Sequence, residues 1–145
     1  MNEKGRTGRM VVGVDGSVGS RRALEWAADE ARLRGASLHV IYAWHMPALG
    51  ATLDPEELEA AAEKAAERIF ERELAEVDTT GIEVDQRLEE RHPVDALLVE
   101  TEEADLLVVG TRGHGGFAGL LLGSVSQQVS HHARCPVVIV PPPKK

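Results

Sequence analysis

The residues best suited to chemistry in this sequence are glycines placed between an apolar run and a segment with helical character. Gly110 and Gly113 follow the apolar residues 106–109, and Gly123 and Ser124 open the helical segment after nine further residues. Glycine allows backbone N–H groups to approach an anion closely, and a helix start adds unpaired donors and the positive end of its dipole. We therefore predict that this loop binds phosphate.

The same loop also has a purely structural interpretation, in which its glycines only form turns and caps. Ser124 and Gln127 have the spacing of a capping box, which would occupy the Ser124 hydroxyl without any ligand. Four glycines among residues 110–116 exceed what one strand-to-helix turn needs, which favours phosphate binding. Arg112 and His114 are either phosphate contacts or solvated loop residues. The loop is not a Walker loop, because it lacks the lysine of that motif.

The turn after the first apolar run carries a carboxylate, in the sequence Asp15-Gly16-Ser17. This turn lacks the G-x-G-x-x-G spacing of a dinucleotide fingerprint, and a carboxylate there would repel a pyrophosphate. Asp15 suits hydrogen bonds to a neutral sugar or base. Alternatively, it forms the turn by accepting hydrogen bonds from nearby N–H groups. The residues alone leave both interpretations open.

The composition restricts the class of protein. The 145 residues fit one domain, with 43% hydrophobic and 28% charged residues. A net charge of −8 argues against nucleic-acid binding. The single cysteine, Cys135, excludes an intramolecular disulfide, fits a reducing compartment and suits the role of a small buried hydrophobe. No run approaches the ~18 apolar residues that span a bilayer, so we expect a cytoplasmic protein.

Few residues point to catalysis. The sequence contains no G-x-S-x-G motif, and no second acidic residue clearly joins Asp15 in a two-carboxylate metal site. His131 and His132 are adjacent, so on a helix they point in different directions and form a poor metal site. We therefore expect binding without catalytic residues and without a resident metal site.

Short apolar or alternating runs predict five strands, at residues 10–14, 37–43, 82–88, 105–110 and 136–140. Helical patterns predict four helices between them, at residues 21–34, 55–77, 93–103 and 124–133. This alternation predicts an α/β fold, a single-domain, doubly wound parallel sheet with helices on both faces, Rossmann-like. If strands one to three wind one way and four and five the other, the winding reverses between strands one and four. The Asp15 turn and the Gly110 loop would then be neighbours.

Capping residues mark the helix ends. Ser20 is predicted to cap the first helix and Gly35 to end it. Asp54, Pro55 and Glu57 predict the N-cap, first residue and capping box of the second helix. That helix is expected to bury an apolar stripe and to expose its carboxylates to solvent; the stripe consists of Leu58, Ala62, Ala65 and Ile69. We assign residues 1–8 to a flexible N-terminus, 9–141 to the domain and 142–145 to a tail.

With these motifs in place, the chain resembles the universal stress proteins, in particular the subgroup that binds ATP. Gly110, Gly113, Gly123 and Ser124 match the motif G-x2-G-x9-G-[ST], and residues 14–17 match the first-strand sequence V-D-G-S. The resemblance covers nearly the whole chain and implies a five-stranded sheet in the order 3-2-1-4-5. It also implies binding of ATP, with magnesium or manganese carried by the nucleotide, and signalling by binding rather than turnover.

The resemblance assigns roles to individual residues. Gly13 and Asp15 would approach the adenosine, and Val40 would meet the adenine through its backbone. Val109 and Gly110 would line the ribose and phosphate side. The phosphates would be surrounded by Gly113, Gly123, Ser124, Val125 and Ser126. One departure from the family is Arg91-His92-Pro93, where the family often has a glycine two positions before the proline; this departure affects the turn into the third helix.

The resemblance further implies a homodimer formed through the fifth strand, at residues 136–140. The charges support this independently, because the third strand carries Glu83, Asp85 and Arg87, which discourage edge pairing, whereas residues 137–140 carry none. The function we expect is that of an ATP-binding regulatory protein of the stress response, with an unknown signalling partner. Two alternatives remain, a nucleotide-free dimeric interaction module and a slow ATPase that uses Asp15.

Overall fold

The structure, a computed structural model, describes residues 8–45, 54–111 and 122–142 of the chain. Strands and helices alternate along these ranges. The strands are β1 (Arg9–Val14), β2 (Ser37–Trp44), β3 (Val84–Glu90), β4 (Leu106–Gly110) and β5 (Val137–Val140). The helices are α1 (Val18–Arg34), α2 (Pro55–Ala75), α3 (Pro93–Glu100) and α4 (Ser124–His132).

The strands form one parallel sheet in the order β3-β2-β1-β4-β5. Val12 in β1 pairs with Val40 in β2 on one side and with Val108 in β4 on the other. The winding therefore reverses between β1 and β4. The predicted fold class and strand order are both confirmed.

The sheet is buried on both faces, as its nearly continuous apolar strands require. Val12 and Val108 belong to the core that lies under α1 and α2, whereas Val11 and Leu107 belong to the core under α3 and α4. Successive side chains of a strand point to opposite faces, so each central strand contributes to both cores. The sheet is thereby fixed in position, and the loops at its two ends are held in a defined arrangement.

Helix α1 begins earlier than predicted, and its N-cap is Ser17 rather than Ser20. The Ser17 hydroxyl accepts a hydrogen bond from the Ser20 N–H at 3.2 Å. The Ser20 hydroxyl is buried inside the first turn, where it accepts from the Asp15 N–H and donates to the Ser17 carbonyl. Gly35 ends the helix with a φ of 66°, the left-handed conformation that the prediction assumed.

Helix α2 begins as predicted, with Asp54 as the N-cap and Pro55 as the first residue. The Asp54 carboxylate accepts from the Glu56 N–H at 3.0 Å instead of from the Glu57 N–H that a capping box would use. The helix ends at Ala75, two residues before the predicted Val77.

The predicted apolar stripe of α2 is partly wrong, because Ala65 is exposed. The residues that the helix buries are Ala66, Phe70 and Glu73. These positions follow the spacing of one helix face, and Phe70 packs on Tyr42 of β2 with ring centroids 5.8 Å apart. The expectation that all carboxylates of this helix face solvent is wrong for Glu73.

At two further boundaries, local turns replace the predicted regular structure. Ile82 donates its N–H to the Thr79 carbonyl in a turn that contains Gly81, so β3 starts at Val84 rather than at Ile82. Helix α3 ends at Glu100 rather than Glu103, since Thr101 caps it and donates its hydroxyl to the Leu98 carbonyl at 2.7 Å. Within the described ranges, no helix combines the length and apolar character needed to cross a membrane.

Candidate functional site

The carboxyl ends of β1 and β4 meet the first turn of α1 at very close range. A Cβ atom on Gly110 would lie 2.8 Å from the Gly19 carbonyl oxygen and 2.9 Å from its carbon. Only glycine leaves room for this approach. The end of β4 is therefore adjacent to the turn that follows β1, and the predicted proximity of the Asp15 turn and Gly110 is confirmed.

The two ends of the glycine-rich loop are joined by hydrogen bonds. The Gly123 N–H donates to the Thr111 carbonyl at 2.6 Å, and the Ser126 hydroxyl donates to the same carbonyl at 2.6 Å. Residues 112–121, which include the predicted site residues Arg112 and Gly113 as well as His114, lie outside the described residues. The two hydrogen bonds to the Thr111 carbonyl hold the start of α4 beside the end of β4.

The start of α4 has no side-chain cap, because its N-cap is Gly123, in an extended conformation with φ −77° and ψ 174°. Ser124 is the first helical residue and is exposed, so the predicted capping box from Ser124 to Gln127 is wrong. The Gln127 N–H bonds to the Gly123 carbonyl, which leaves the N–H groups of the three preceding residues without intrahelical partners. This geometry suits an anion at the helix start.

The other predicted residues of α4 contribute in different ways. Ser126 is 3% exposed, and its hydroxyl donates to the carbonyls of Thr111 and Gly123. Val125 is partly buried against the core under α3 and α4. Because both side chains are used inside the protein, any contact of these residues with a ligand at the helix start would involve their backbone N–H groups.

Asp15 organises the turn after β1. Its carboxylate accepts a hydrogen bond from the Ser17 N–H at 2.9 Å, which is the local role that its turn-forming interpretation describes. Its charge also reaches Tyr42 on β2: burial, and then the charges of Asp15 and Glu73, raise the pKa of the Tyr42 phenol. Asp15 and Tyr42 therefore share the carboxyl end of the sheet.

Besides Gly110, three predicted residues lie in the sheet itself. Gly13 faces Leu97 of α3, whose Cδ1 atom would be 2.9 Å from an added Cβ. Val40 is fully buried between Val12 and Gln86, four residues before the end of β2. Val109 is 4% exposed and immediately precedes Gly110. The nucleotide contacts assigned to these residues by the resemblance stay predictions.

An ion pair that buries its glutamate but leaves its arginine partly exposed lies near this end of the sheet and was not predicted. Arg21 of α1 contacts Glu73 of α2 with an N–O distance of 2.5 Å, and only 3% of the Glu73 side chain is exposed. Within the described part of the chain, Glu73 Oε1 and Arg21 Nε are buried without a hydrogen-bond partner. The spacing of Glu73 from Ala66 and Phe70 was the available signal, since it places all three on one helix face.

The turn into α3 forms with Arg91 at the position, two residues before Pro93, where the family that the sequence resembles often has a glycine. The Arg91 N–H donates to the Trp44 carbonyl at 2.7 Å, and His92 is the N-cap, its Nδ1 accepting from the Val94 N–H at 3.3 Å. The ring of His92 stacks on that of His45, with centroids 5.3 Å apart. Among residues 8–45, 54–111 and 122–142, no three His, Cys, Asp or Glu side chains are grouped so as to hold a metal ion.

Comparison with known proteins shows where this architecture occurs. A model of the universal stress protein family matches residues 7–141. A universal stress protein of Mycolicibacterium smegmatis is 38% identical over 137 residues, which cover 92% of this chain and 45% of the relative. The chain therefore spans less than half the length of that relative.

Two solved structures are similar over nearly the whole chain. One is a universal stress protein in complex with cAMP, which is 32% identical with a TM-score of 0.64 and covers 94% of this chain and 98% of its own. The other is a universal stress protein from Archaeoglobus fulgidus in complex with dAMP. It is 28% identical with a TM-score of 0.55, and the match covers 93% of this chain and 98% of that one.

Proposed function

Because this chain belongs to the universal stress protein family, we propose that it binds ATP, with Mg²⁺ carried by the nucleotide, and acts by binding rather than by turnover. One observation carries the proposal: the start of α4, whose N-cap Gly123 has no side chain to cap it, is held by Thr111 beside the end of β4. This is the place where the winding reverses, and open α/β sheets bind ligands at such a point. The cAMP and dAMP complexes of similar proteins support an adenine nucleotide.

The phosphates would lie at the start of α4, with backbone N–H groups of Ser124, Val125 and Ser126 as donors. Arg112 and Gly113 would complete the phosphate side of the site from the loop. Asp15 would bind the neutral sugar or base rather than the phosphates, because its charge repels anions.

The metal would be carried by the phosphates. The part of the chain that the structure describes offers no group of three acidic or imidazole ligands, and Mg²⁺ is commonly bound through substrate phosphates. Bound there, the ion would neutralise phosphate charge.

We also propose a homodimer formed through β5. This strand pairs with β4 on one side and forms an edge of the sheet on the other. Its residues are Val137, Val138, Ile139 and Val140, so no charge blocks pairing with a second copy. Sedimentation analysis of the wild type and of Val138→Lys tests this part, and a monomeric wild type would contradict it.

The test of nucleotide binding is Ser124→Asp. Ser124 is exposed at the first position of α4, where a carboxylate favours the helix by about 0.3–1 kcal/mol through its dipole. The same carboxylate would repel phosphate and lower the affinity for ATP about tenfold or more, as expected for like charges a few ångströms apart. We expect an unchanged or higher unfolding midpoint together with weaker binding in calorimetric titration with ATP and Mg²⁺.

The control is Ser130→Asp, which places the same charge on an exposed residue in the last part of α4 and leaves the helix start unchanged. We expect this variant to bind ATP as the wild type does. A wild type that shows neither heat nor a thermal shift at millimolar ATP contradicts the proposal. Phosphate release that disappears in Asp15→Asn would contradict the statement that the protein does not turn ATP over.

A further inference from the structure

A second set of functional groups lies at the opposite, amino end of the sheet. Ser37 is the first residue of β2, and its Oγ lies 3.0 Å from Nε2 of His39, two residues along the same face. His39 Nδ1 lies 3.1 Å from Oδ2 of Asp85 in β3. The register of the sheet pairs His39 directly with Asp85. A serine, a histidine and an aspartate are thus connected in the order used by serine nucleophiles.

The neighbouring groups fix the protonation pattern of the histidine. Arg9 Nη1 can only donate, and it lies 3.2 Å from His39 Nε2, so Nε2 accepts and Nδ1 carries the proton toward Asp85. This is the tautomer that a general base requires. Burial opposes ionisation of Asp85, but the hydrogen bond with His39 and the charge of Arg87 lower the pKa of this carboxyl below its usual value. Asp85 therefore stays ionised.

Arg9 is also placed to stabilise negative charge. Its Nη2 is held by Glu100 Oε1 at 2.6 Å, which keeps the guanidinium next to the nitrogen that the serine contacts. When His39 Nε2 takes up a proton it can no longer accept from Nη1, so Nη1 turns away while Nη2 stays bonded to Glu100, and Nη1 would then donate to an oxyanion formed on an acyl group at Ser37. The Ser37 hydroxyl has a second acceptor in the Gly8 carbonyl at 3.3 Å, so its proton is shared before reaction.

Arg9, Ser37 and His39 line a cavity of about 630 Å³. The other residues that line it are three glutamates and one alanine, namely Glu83, Glu102, Glu103 and Ala104. A cavity with this excess of carboxylates attracts a positively charged molecule. The volume is sufficient for a small organic ligand.

We propose that Ser37, His39 and Asp85 form a second site, in which Ser37 accepts the acyl group of a small carboxylic ester that carries a positive charge. Ser37 Oγ bonds to the carbonyl carbon while its proton passes to His39 Nε2. The bond from that carbon to the alcohol oxygen then breaks, and the alcohol leaves with this proton. Water attacks the acyl-serine, gives its proton to Nε2 and releases the carboxylic acid, and the proton on Nε2 returns to Ser37.

The first experiment treats the full chain with diisopropyl fluorophosphate, which phosphorylates activated serines to the diisopropylphosphoryl ester with loss of fluoride. We expect an adduct on Ser37 in a large fraction of the protein, measured by intact mass and located by peptide mapping. A trace contaminant cannot produce an adduct of this extent on the chain itself. His39→Gln should react about 100-fold more slowly, because it removes the general base.

The second experiment compares acetylcholine with 3,3-dimethylbutyl acetate, its uncharged isostere. We expect faster hydrolysis of the cationic ester by the wild type, and loss of this preference in Glu102→Gln/Glu103→Gln. Asp85 acts as a positioning residue, so Asp85→Asn should lower kcat while KM changes little. Ser130→Ala, which changes an exposed serine on α4, should behave as the wild type does.

Three results would overturn the proposal. They are the absence of an adduct on Ser37, equal labelling of the His39→Gln variant, and labelling that maps to another serine. Equal rates for the two esters would overturn the assigned substrate class. A Ser37→Ala variant should take up no adduct. Because this change also removes a hydrogen bond at the sheet end, its unfolding midpoint is measured too, and His39→Gln provides the independent check.

Discussion

Gly110→Ala tests the closest backbone approach at the proposed nucleotide site. The added Cβ would lie 2.8 Å from the Gly19 carbonyl oxygen, about 0.6 Å short of the 3.4 Å at which ordinary contact begins. The obstructing atoms are backbone atoms in the first turn of α1, so no side-chain rotation can relieve the overlap. Overpacking of this kind costs about 1–3 kcal/mol of unfolding free energy.

The assay is urea unfolding, supported by the thermal midpoint, which should fall by roughly 3 °C per kcal/mol in a chain of this length. Gly13→Ala is the matched control, since its Cβ would lie 2.9 Å from Leu97 Cδ1, the end of a flexible side chain that can move. We expect a loss below about 1 kcal/mol there. If the two variants are equally stable, the close packing of β4 on α1 is refuted.

The remaining predictions concern the cap of α1, the Arg21–Glu73 ion pair and the Cys135 thiol. Ser17→Ala should lower the unfolding free energy by about 1 kcal/mol, because it removes the side-chain cap of α1. Ser17→Asp, which keeps a capping oxygen, is the control and should be as stable as the wild type. An unchanged urea midpoint in Ser17→Ala would contradict the capping role. Arg21→Met should cost about 2–4 kcal/mol, because it leaves Glu73 charged and buried, and Arg21→Met/Glu73→Leu should recover most of the loss. Additive losses in that double-mutant cycle would argue against the pair. Burial, and then the charge of Asp105, raise the pKa of the Cys135 thiol above its usual 9.0, so Cys135 should react with a disulfide reagent more slowly than glutathione does at pH 8. The raised pKa of the protonated thiol contributes to the unfolding free energy in full below pH 9, and this contribution is lost as the pH rises through the higher pKa of the folded state. Urea titrations at pH 8 and pH 10 measure the difference in unfolding free energy.

The topology of the sheet followed from the pattern of apolar runs. Residues 10–14 and 106–109 are apolar without alternation, as strands buried on both faces must be, and the helical segments between the runs require parallel crossovers. The boundaries at Val84 and Glu100 did not follow, because they depend on single hydrogen bonds. The Ile82 N–H bonds within a turn, and the Thr101 hydroxyl bonds to Leu98 and accepts from the Arg134 N–H, which lies 33 residues away in the chain.

The close approach of Gly110 to the first turn of α1 could be predicted because it depends on the backbone. Gly110 stands where a Cβ atom would meet the Gly19 carbonyl, and such a position is visible in a sequence as a glycine. The Arg21–Glu73 pair could not be predicted in the same way. The spacing of Glu73 from Ala66 and Phe70 points to the buried helix face, but Arg21 lies 52 positions away, and nothing in the sequence identifies it as the partner before α1 and α2 pack on the sheet.

The serine, histidine and aspartate at the amino end of the sheet were even harder to predict from the sequence than the Arg21–Glu73 pair. Ser37 and His39 are close in the sequence, but Asp85 joins them only because β3 pairs with β2 in the register that sets His39 opposite Asp85. A shift of β3 by one residue in its pairing with β2 would turn Asp85 to the other face of the sheet. The two proposed sites therefore differ in origin: the proposed nucleotide site depends on backbone geometry at glycines, whereas the proposed acyl-transfer site depends on side chains that strand register brings together. The glycine motif consequently bears on the proposed nucleotide site and gives no information about Ser37, His39 and Asp85.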